Sequence, residues 1–345
     1  MNNKKHTIKD IANLAGVSKG TVDRVLHNRG KVSEKALKNV EKVLRDIDYQ
    51  PNPMARNLKH NKIYRIGVLM PNCDEDAYWI QARQGIYDAI KEFKPFGVLV
   101  DEFYYSTNEK KSFQQKSEEA LSLSPDALLM APAFQKEADA ILDRCKKEKI
   151  LVALFNNYID SKQRTIFIGQ DLYQSGRVAA SLIDKMVGVQ ANVAIVHVNI
   201  EPHMLLKESG FKSYFADKNA SLSILSKHFN TLDEAAFRSE VSNFLNENPK
   251  LAVIFVTNSK AYKIIDALGT ATKNTLVLGY DLLRENINYL KDGRIDFLIH
   301  QKPHRQAYLG INYLAEHFLF GKNIPAEVLL PIDIITAENV TYYMD

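Results

Sequence analysis

The sequence predicts a two-part α/β protein: a small all-α helix-turn-helix head, then a body of two doubly wound parallel-sheet lobes. Three observations carry this expectation. Residues 7–30, TIKDIANLAGVSKGTVDRVLHNRG, hold two short helical patterns with a Gly-Val-Ser turn between them. From residue 63 onward, apolar runs of strand length alternate with amphipathic stretches. Charge divides at the same place. Residues 1–62 carry 14 Lys and Arg against 6 Asp and Glu, a charge of +8; the whole chain is +4, so the remainder is −4. A basic head on a mildly acidic body suits a head that meets a polyanion. At 345 residues the chain is too long for one compact core.

In the head, Thr7 with Asp10 fits a capping box, and Ile8, Ile11, Ala12 and Ala15 share one helix face. Gly16 tolerates the left-handed conformation that ends such a helix. Ser18 suits the N-cap of a second helix, with Val22, Val25 and Leu26 on its inner face. Ser33 caps a third, with Val32 as staple to Leu37 and a stripe of Leu37, Val40, Leu44 and Ile47. Three such helices around one small core make a helix-turn-helix unit. The second helix then turns Lys19, Thr21, Asp23, Arg24 and His27 outward, with Gly20 near its start. The N-terminal part of such a helix can enter a major groove, and Arg24 can pair with a guanine through two hydrogen bonds. Gly16-Val17-Ser18-Lys19-Gly20 also matches the G-x-S-x-G nucleophile elbow. That motif needs a strand before it, and a helical pattern stands there instead, so Ser18 reads as a cap.

Residues 49–60, YQPNPMARNLKH, offer Asn52 as a cap and Pro53 at a first helical position, but under two turns of helix follow. So short a helix needs a partner to order it. Leu58, flanked by Arg56 and Lys59, suits a wedge between base pairs in a minor groove.

With "TIKDIANLAGVSKGTVDRVLHNR" and "YQPNPMARNLK" together, residues 7–60 resemble the DNA-binding head of the LacI/GalR family of bacterial transcription regulators. The resemblance implies a homodimer on double-stranded operator DNA, with paired hinge helices inserting Leu58 at the operator centre. It puts Lys19, Gly20 and Arg24 at base-reading positions, and Thr21 and Asn28 at phosphate or structural ones. Thr7, Ser18, Arg29, Asn52 and Arg56 complete the candidate DNA-facing set.

In the body, RIGVLM (65–70), ALLMA (127–131), ILVALF (150–155), NVAIVHV (192–198), LAVIFV (251–256) and TLVLGY (275–280) suit parallel strands buried on both faces. Ligands of such folds sit beyond the carboxyl ends of the strands. The residues there are Asp76, Tyr78 and Trp79 after the first run, and Asn156 and Asn157 after ILVALF. Gln170 and Asp171 follow IFIG. Asn199, Glu201 and His203 follow NVAIVHV, with Lys207 a turn later. Asn258, Asp281 and Gln301 end three further strands. Amides and carboxylates accept from hydroxyl groups, and aromatic faces cover a sugar ring, so the set suits a small polyhydroxylated ligand. For any one strand-end Asn or Asp, capping the next helix is an equally good reading.

Through "VFVTNSKAYKIIDAL", "VLGYD", "FLIHQKP" and "GQDLYQSGRVAASLI", residues 63–345 resemble the periplasmic-binding-protein fold, closest to its ribose-type branch. Asp76, Tyr78, Trp79, Asn258, Asp281 and Gln301 fall on effector positions of that fold; Asn156, Asn157, Asp171, His203 and Lys207 are the added candidates. Two departures matter. Asn156-Asn157 stands where ribose-type proteins tend to show Asp-Arg, and Lys207 stands where an Arg is common. A carboxylated or an amino sugar is therefore open beside a simple pentose.

The expected boundaries are 1–50 for the head, 51–62 for the hinge and 63–345 for the body. Lobe 1 takes about 63–185 and 303–328; lobe 2 takes about 186–302 and 329–345. The expected function is an effector-controlled, operator-binding regulator, in all expectation a repressor, located in the cytoplasm. The sequence shows no secretory signal, no span of roughly 18 apolar residues, and two cysteines, Cys73 and Cys145, without metal spacing. No metal, cofactor or membrane partner is expected. A solute receptor would share the body but not the head; a carbohydrate-active enzyme lacks any supporting motif.

Overall fold

The computed structural model describes residues 6–26, 29–47, 49, 62–159, 165–187, 191–218, 222–269 and 275–344. Expectations for His27, Asn28, Asn52, Arg56, Leu58 and the hinge helix lie outside the described residues. The chain forms two units, Met1–His60 and Asn61–Asp345.

The first unit holds α1 (Ile8–Ala15), α2 (Lys19–Leu26) and α3 (Glu34–Asp46). Thr7 and Asp10 form the capping box, and Gly16 closes α1 in the left-handed region at φ 65°. The Ser18 hydroxyl accepts from the Thr21 amide at 3.1 Å, satisfying one of the free donors at the start of α2. Ser33 does the same for α3 through Ala36. Ile11, Ala12, Ala15, Val22 and Val40 are buried at the centre, with Ile8, Val25, Leu26, Leu44 and Ile47 packed around them. Leu37, expected in this core, stays exposed. Its stripe is a residue wider than three short helices can cover.

In the second unit, β1 (Tyr64–Pro71), α4 (Tyr78–Phe93), β2 (Val98–Tyr105), α5 (Lys110–Ser122), β3 (Ala127–Met130), α6 (Gln135–Glu148), β4 (Leu151–Phe155) and β5 (Ile166–Gly169) come first. Next are α7 (Leu172–Met186), β6 (Asn192–Val198), α8 (Pro202–Asp217), β7 (Ser223–Phe229), α9 (Glu234–Glu247), β8 (Leu251–Val256), α10 (Ala261–Leu268) and β9 (Leu276–Tyr280). The chain ends with α11 (Arg284–Lys291), β10 (Phe297–His300), α12 (Pro303–Phe320), β11 (Glu327–Leu329) and β12 (Asp333–Ile335). Among the described residues no helix is long and apolar enough to cross a membrane.

The strands form two six-stranded sheets, ordered β11-β5-β4-β3-β1-β2 and β12-β10-β9-β8-β6-β7. All pairs are parallel except β10 with β12. The two orders are the same pattern used twice. Residues of α4 and α12 bury one face of the first sheet, and those of α5 and α6 the other. In the second sheet α9, α10 and α11 cover one face, and α7 and α8 the other.

One expected boundary is corrected here. α7, assigned to lobe 1 by the expected span 63–185, belongs to lobe 2: its Ala179, Ala180 and Ile183 are buried with Val193, Phe211 and Phe215. A Cβ at Gly176 of α7 would lie 1.9 Å from the Lys207 carbonyl oxygen, and one at Gly210 of α8 would lie 1.9 Å from that of Tyr173. Two glycines thus let the α7 and α8 backbones touch. The chain therefore changes lobe at 170–171, and again at 301–302 and 330–332. These crossings are tied together. Gln170 donates to the His300 and Pro331 carbonyls at 3.3 and 3.1 Å, and the Lys302 ammonium meets Asp333 at 2.7 Å.

Candidate functional site

Both sheets aim the carboxyl ends of their strands at one cleft of about 500 Å³, including its opening to solvent. Three strands end with a residue in the left-handed region: Asn156 after β4, Asn199 after β6 and Asp281 one residue past β9, at φ 64°, 54° and 62°. Each still donates its amide across the sheet, to Ile168, Phe229 and Ile299. The backbone then turns sharply. Asn and Asp tolerate this conformation better than other residues with a side chain.

The first lobe contributes Asp76, Tyr78, Trp79, Asn156 and Asn157 to the cleft. The Asp76 carboxylate accepts from the Tyr78 amide at 3.0 Å at the entry to α4. Tyr78 and Trp79 stand edge-on with centroids 5.0 Å apart, and Trp79 packs against Phe155. Both rings belong to the lobe core while facing the cleft. The Asn156 amide donates to the Tyr78 hydroxyl. Asn157 donates to the Pro132 carbonyl at 3.0 Å, and among the described residues its buried Oδ1 has no hydrogen-bond partner.

The second lobe contributes His203, Asn258, Asp281 and Gln301. Asn258 donates to the Val198 carbonyl at 2.7 Å and accepts from the Lys260 amide at 3.2 Å. The Asp281 carboxylate accepts from the Gln301 backbone amide at 2.9 Å and from its side-chain amide at 2.6 Å. Gln301 is held in turn by Lys207, whose ammonium donates to Gln301 Oε1 at 3.2 Å and to the Thr257 carbonyl at 3.0 Å. That ammonium also lies 3.6 Å from the Tyr280 ring centroid.

Nine of the eleven effector candidates therefore line one cleft. The other two are placed differently. Asp171 is exposed and caps α7, accepting from the Gln174 amide at 2.8 Å. The first residue after a lobe crossing is needed to start the next helix, and that need uses its carboxylate. Lys207 is fully buried behind the cleft wall, where it orients Gln301.

Four further polar residues line the cleft beyond the expected set: Thr107, Glu201, Ser259 and Lys260. Lys260 reaches Asp76 of the first lobe at 3.2 Å. Its signal was its place two residues after Asn258, at the same strand end. Glu201, a strand-end carboxylate in the sequence, lies 3.5 Å from His203 Nδ1.

Burial dominates the electrostatics. It raises the Glu201 carboxyl to about 7, with Lys260 opposing and Asp76 reinforcing. It lowers the Lys207 ammonium to about 7 against the pull of Asp281 and Glu201. It holds the His203 imidazole well below its ordinary value, helped by the charges of Lys207 and Lys260, so that ring is neutral at pH 7.

In the head, Lys19, Gly20, Arg24 and Arg29 are exposed, and Thr21 is half-buried with its hydroxyl 2.9 Å from that of Ser18. Arg24 folds back, its Nε donating to the Gly20 carbonyl at 3.1 Å. A Cβ at Gly20 would make ordinary contacts only, the nearest 3.8 Å from the Ser18 hydroxyl oxygen. Thr7 is committed to its cap.

The chain matches known families along nearly all its length. Residues 7–52 match the model of bacterial regulatory proteins of the lacI family, and residues 66–323 match the periplasmic binding protein domain. It is 32% identical over 169 residues to the NTD biosynthesis operon regulator of Bacillus subtilis; that match covers 49% of this chain and about half (49%) of the relative's length. It is 24% identical over 349 aligned positions to the sucrose operon repressor of Streptococcus mutans, covering 96% of this chain and 99% of that protein. Among solved structures, a chain assigned as a LacI transcriptional regulator from Bacteroides fragilis superposes with a TM-score of 0.76 at 26% identity, over 82% of this chain and all of that one. A solute-binding protein of Burkholderia graminis, solved with D-arabinose, shares the fold with a TM-score of 0.73 at 20% identity, over 82% and 99% of the two chains. With a helix-turn-helix head and a two-lobed sheet body, each matching its own family model, the chain belongs to the lacI family of bacterial regulatory proteins.

Proposed function

We propose that this chain is a sequence-specific DNA-binding repressor whose operator affinity is set by a small carbohydrate held between the two lobes. The observation that carries the reading is the joining, in one chain, of a capped helix-turn-helix to a cleft lined by strand-end amides, carboxylates and an aromatic pair. Exposed Lys19 and Arg24, beside a glycine that leaves room, suit major-groove contact. Acceptors set around the cleft suit a ring of hydroxyl groups. Ligand closes the lobes about their three crossings, and residues 51–62 pass the change to the head. Such coupling is typically worth ~1–3 kcal/mol. The working unit is a homodimer in the cytoplasm, where its DNA is, and the cleft binds without turnover.

The test has two stages. Thermal unfolding of the full chain is measured against a panel of sugars, since a ligand of the folded state raises the melting temperature. Operator binding is then measured with and without each hit. The expected result is at least a fivefold change in operator affinity. A sugar that binds tightly and leaves operator affinity unchanged defeats the control, and turnover of that sugar by the pure chain defeats the non-enzymatic reading.

A further inference from the structure

The charge inventory of the cleft is unbalanced, and resting on the sugar-binding reading above, it narrows the ligand class. Three carboxylates, Asp76, Glu201 and Asp281, line the cleft. Among the described residues that line the cleft, Lys260 is the ammonium and there is no arginine. Lys260 is already paired with Asp76 at 3.2 Å. Asp281 takes two hydrogen bonds from Gln301, with the Lys207 ammonium behind that same amide. Glu201 is left over. Among the described residues no hydrogen-bond donor meets its carboxylate, and its ion-pair contact is the His203 ring at 3.5 Å. That ring is neutral, so it supplies no positive charge. A third of the Glu201 side chain remains accessible.

A second observation points the same way. Asn157 is 7% exposed and lines the cleft, and among the described residues its Oδ1 acceptor has no hydrogen-bond partner. A buried acceptor of this kind is costly until a donor arrives. The cleft thus asks for a donor-rich ligand carrying one positive charge. Among the described residues an anionic sugar finds no free cation lining the cleft: Lys207 is fully buried and committed to Thr257, Gln301 and the Tyr280 ring.

We propose that the cleft selects an aminated sugar, a polyhydroxylated ring whose ammonium pairs with the Glu201 carboxylate and whose hydroxyl groups reach Asn157 and Asp281. Burial raises the Glu201 carboxyl to about 7 and the Asp76 charge adds to the rise, while Lys260 and Lys207 oppose it without cancelling it. The groups acting on Glu201 from the surrounding elements are Asp76, Lys260, Lys207 and His203. A ligand cation restores the balance that they leave incomplete.

The experiment is calorimetric titration of the full chain at pH 7 with matched sets of hexoses: the neutral sugar, its 2-, 3- and 6-amino-deoxy forms, and its uronic acid. One aminated member is expected to bind at least tenfold more tightly than its neutral parent and more tightly than the uronate. In Glu201→Gln that affinity ratio should fall at least tenfold, and Glu201→Asp should keep most of it. A neutral sugar or uronate that outbinds every aminated form overturns the proposal and leaves the sugar-binding reading intact. Absence of binding in all three classes overturns both. An unchanged ratio in Glu201→Gln removes Glu201 as the partner. Should that variant fail to fold, the wild-type ranking decides alone.

Discussion

Lys260 of the second lobe meets Asp76 of the first, with Nζ 3.2 Å from Oδ2 and side chains 17% and 24% exposed. Each residue stands at a strand end just before a helix, α10 and α4, so the ion pair fastens the lobes at the cleft. Partly sheltered, it should be worth about 1 kcal/mol. Lys260→Met should open the unliganded body, giving a larger radius of gyration by X-ray scattering. On the proposed closure, in which ligand favours the closed form, its apparent affinity should fall with the closed fraction, by about fivefold. Unchanged scattering and unchanged affinity would show that the pair does not hold the lobes.

A second prediction concerns the backbone contact behind the cleft. α7 and α8 approach so closely that a Cβ at Gly176 would overlap the Lys207 carbonyl. A helix backbone cannot yield as a flexible side chain does. Gly176→Ala should therefore cost about 2–3 kcal/mol in urea unfolding. It should also weaken ligand binding, because it displaces the residue that holds Gln301. Exposed Gly293, at φ 69° with open space around it, makes the comparison: Gly293→Ala meets backbone strain but no clash, and should leave ligand affinity alone.

These two sites mark what the sequence could and could not disclose. The eight strands it named lie inside the sheets, where burial on both faces leaves an unbroken apolar run such as NVAIVHV. The four it did not name, β2, β7, β11 and β12, are the four sheet edges. Edge strands face solvent, and their polar residues, as in SILSKHF, erase the run. The helical head was legible because its caps are local chemistry, within three residues. The lobe of α7 was not, because Gly176 and Gly210 act through close approaches to Lys207 and Tyr173, residues more than 30 positions away in the chain. In the cleft, side chains placed by their own strand end were found, while Asp171 looked identical in sequence and serves as a cap. Glu201 and Lys260 gain their meaning from partners on other elements, which periodicity does not report.

In the head, Arg24 donates to the Gly20 carbonyl at 3.1 Å within α2, so in the free protein its guanidinium is held against its own helix. Base reading requires it to leave that carbonyl for a guanine edge. Arg24→Ala should lower affinity for the operator by ~1–3 kcal/mol and relax preference at one base position. Affinity for random-sequence DNA should fall by much less. Equal losses on both would assign Arg24 to the phosphates instead. Selection of bound sequences with wild type and variant makes the measurement.

The last prediction is a pH dependence rooted under the cleft floor. On α8, Glu208 receives Lys212, the Ser226 hydroxyl at 2.6 Å and His197 Nε2 at 2.6 Å, and His197 Nδ1 meets the Thr257 hydroxyl at 2.8 Å. Thr257 in turn offers its carbonyl to Lys207. Burial raises the Glu208 carboxyl, but the three hydrogen bonds outweigh it and bring the group from 4.5 down to about 2. A carboxyl lowered on folding binds fewer protons in the native state than in the unfolded one. Its contribution is therefore full above about pH 4.5 and is lost as pH falls through about 2. With Lys212 half exposed, the contribution at pH 7 should be about 2 kcal/mol. Glu208→Gln keeps the shape and removes the charge. By urea unfolding the variant should be less stable than wild type by that amount at pH 7 and pH 5, and the gap should close by about pH 2. A gap that persists unchanged into acid would mean that Glu208 serves by packing and hydrogen-bond geometry, with its charge contributing nothing.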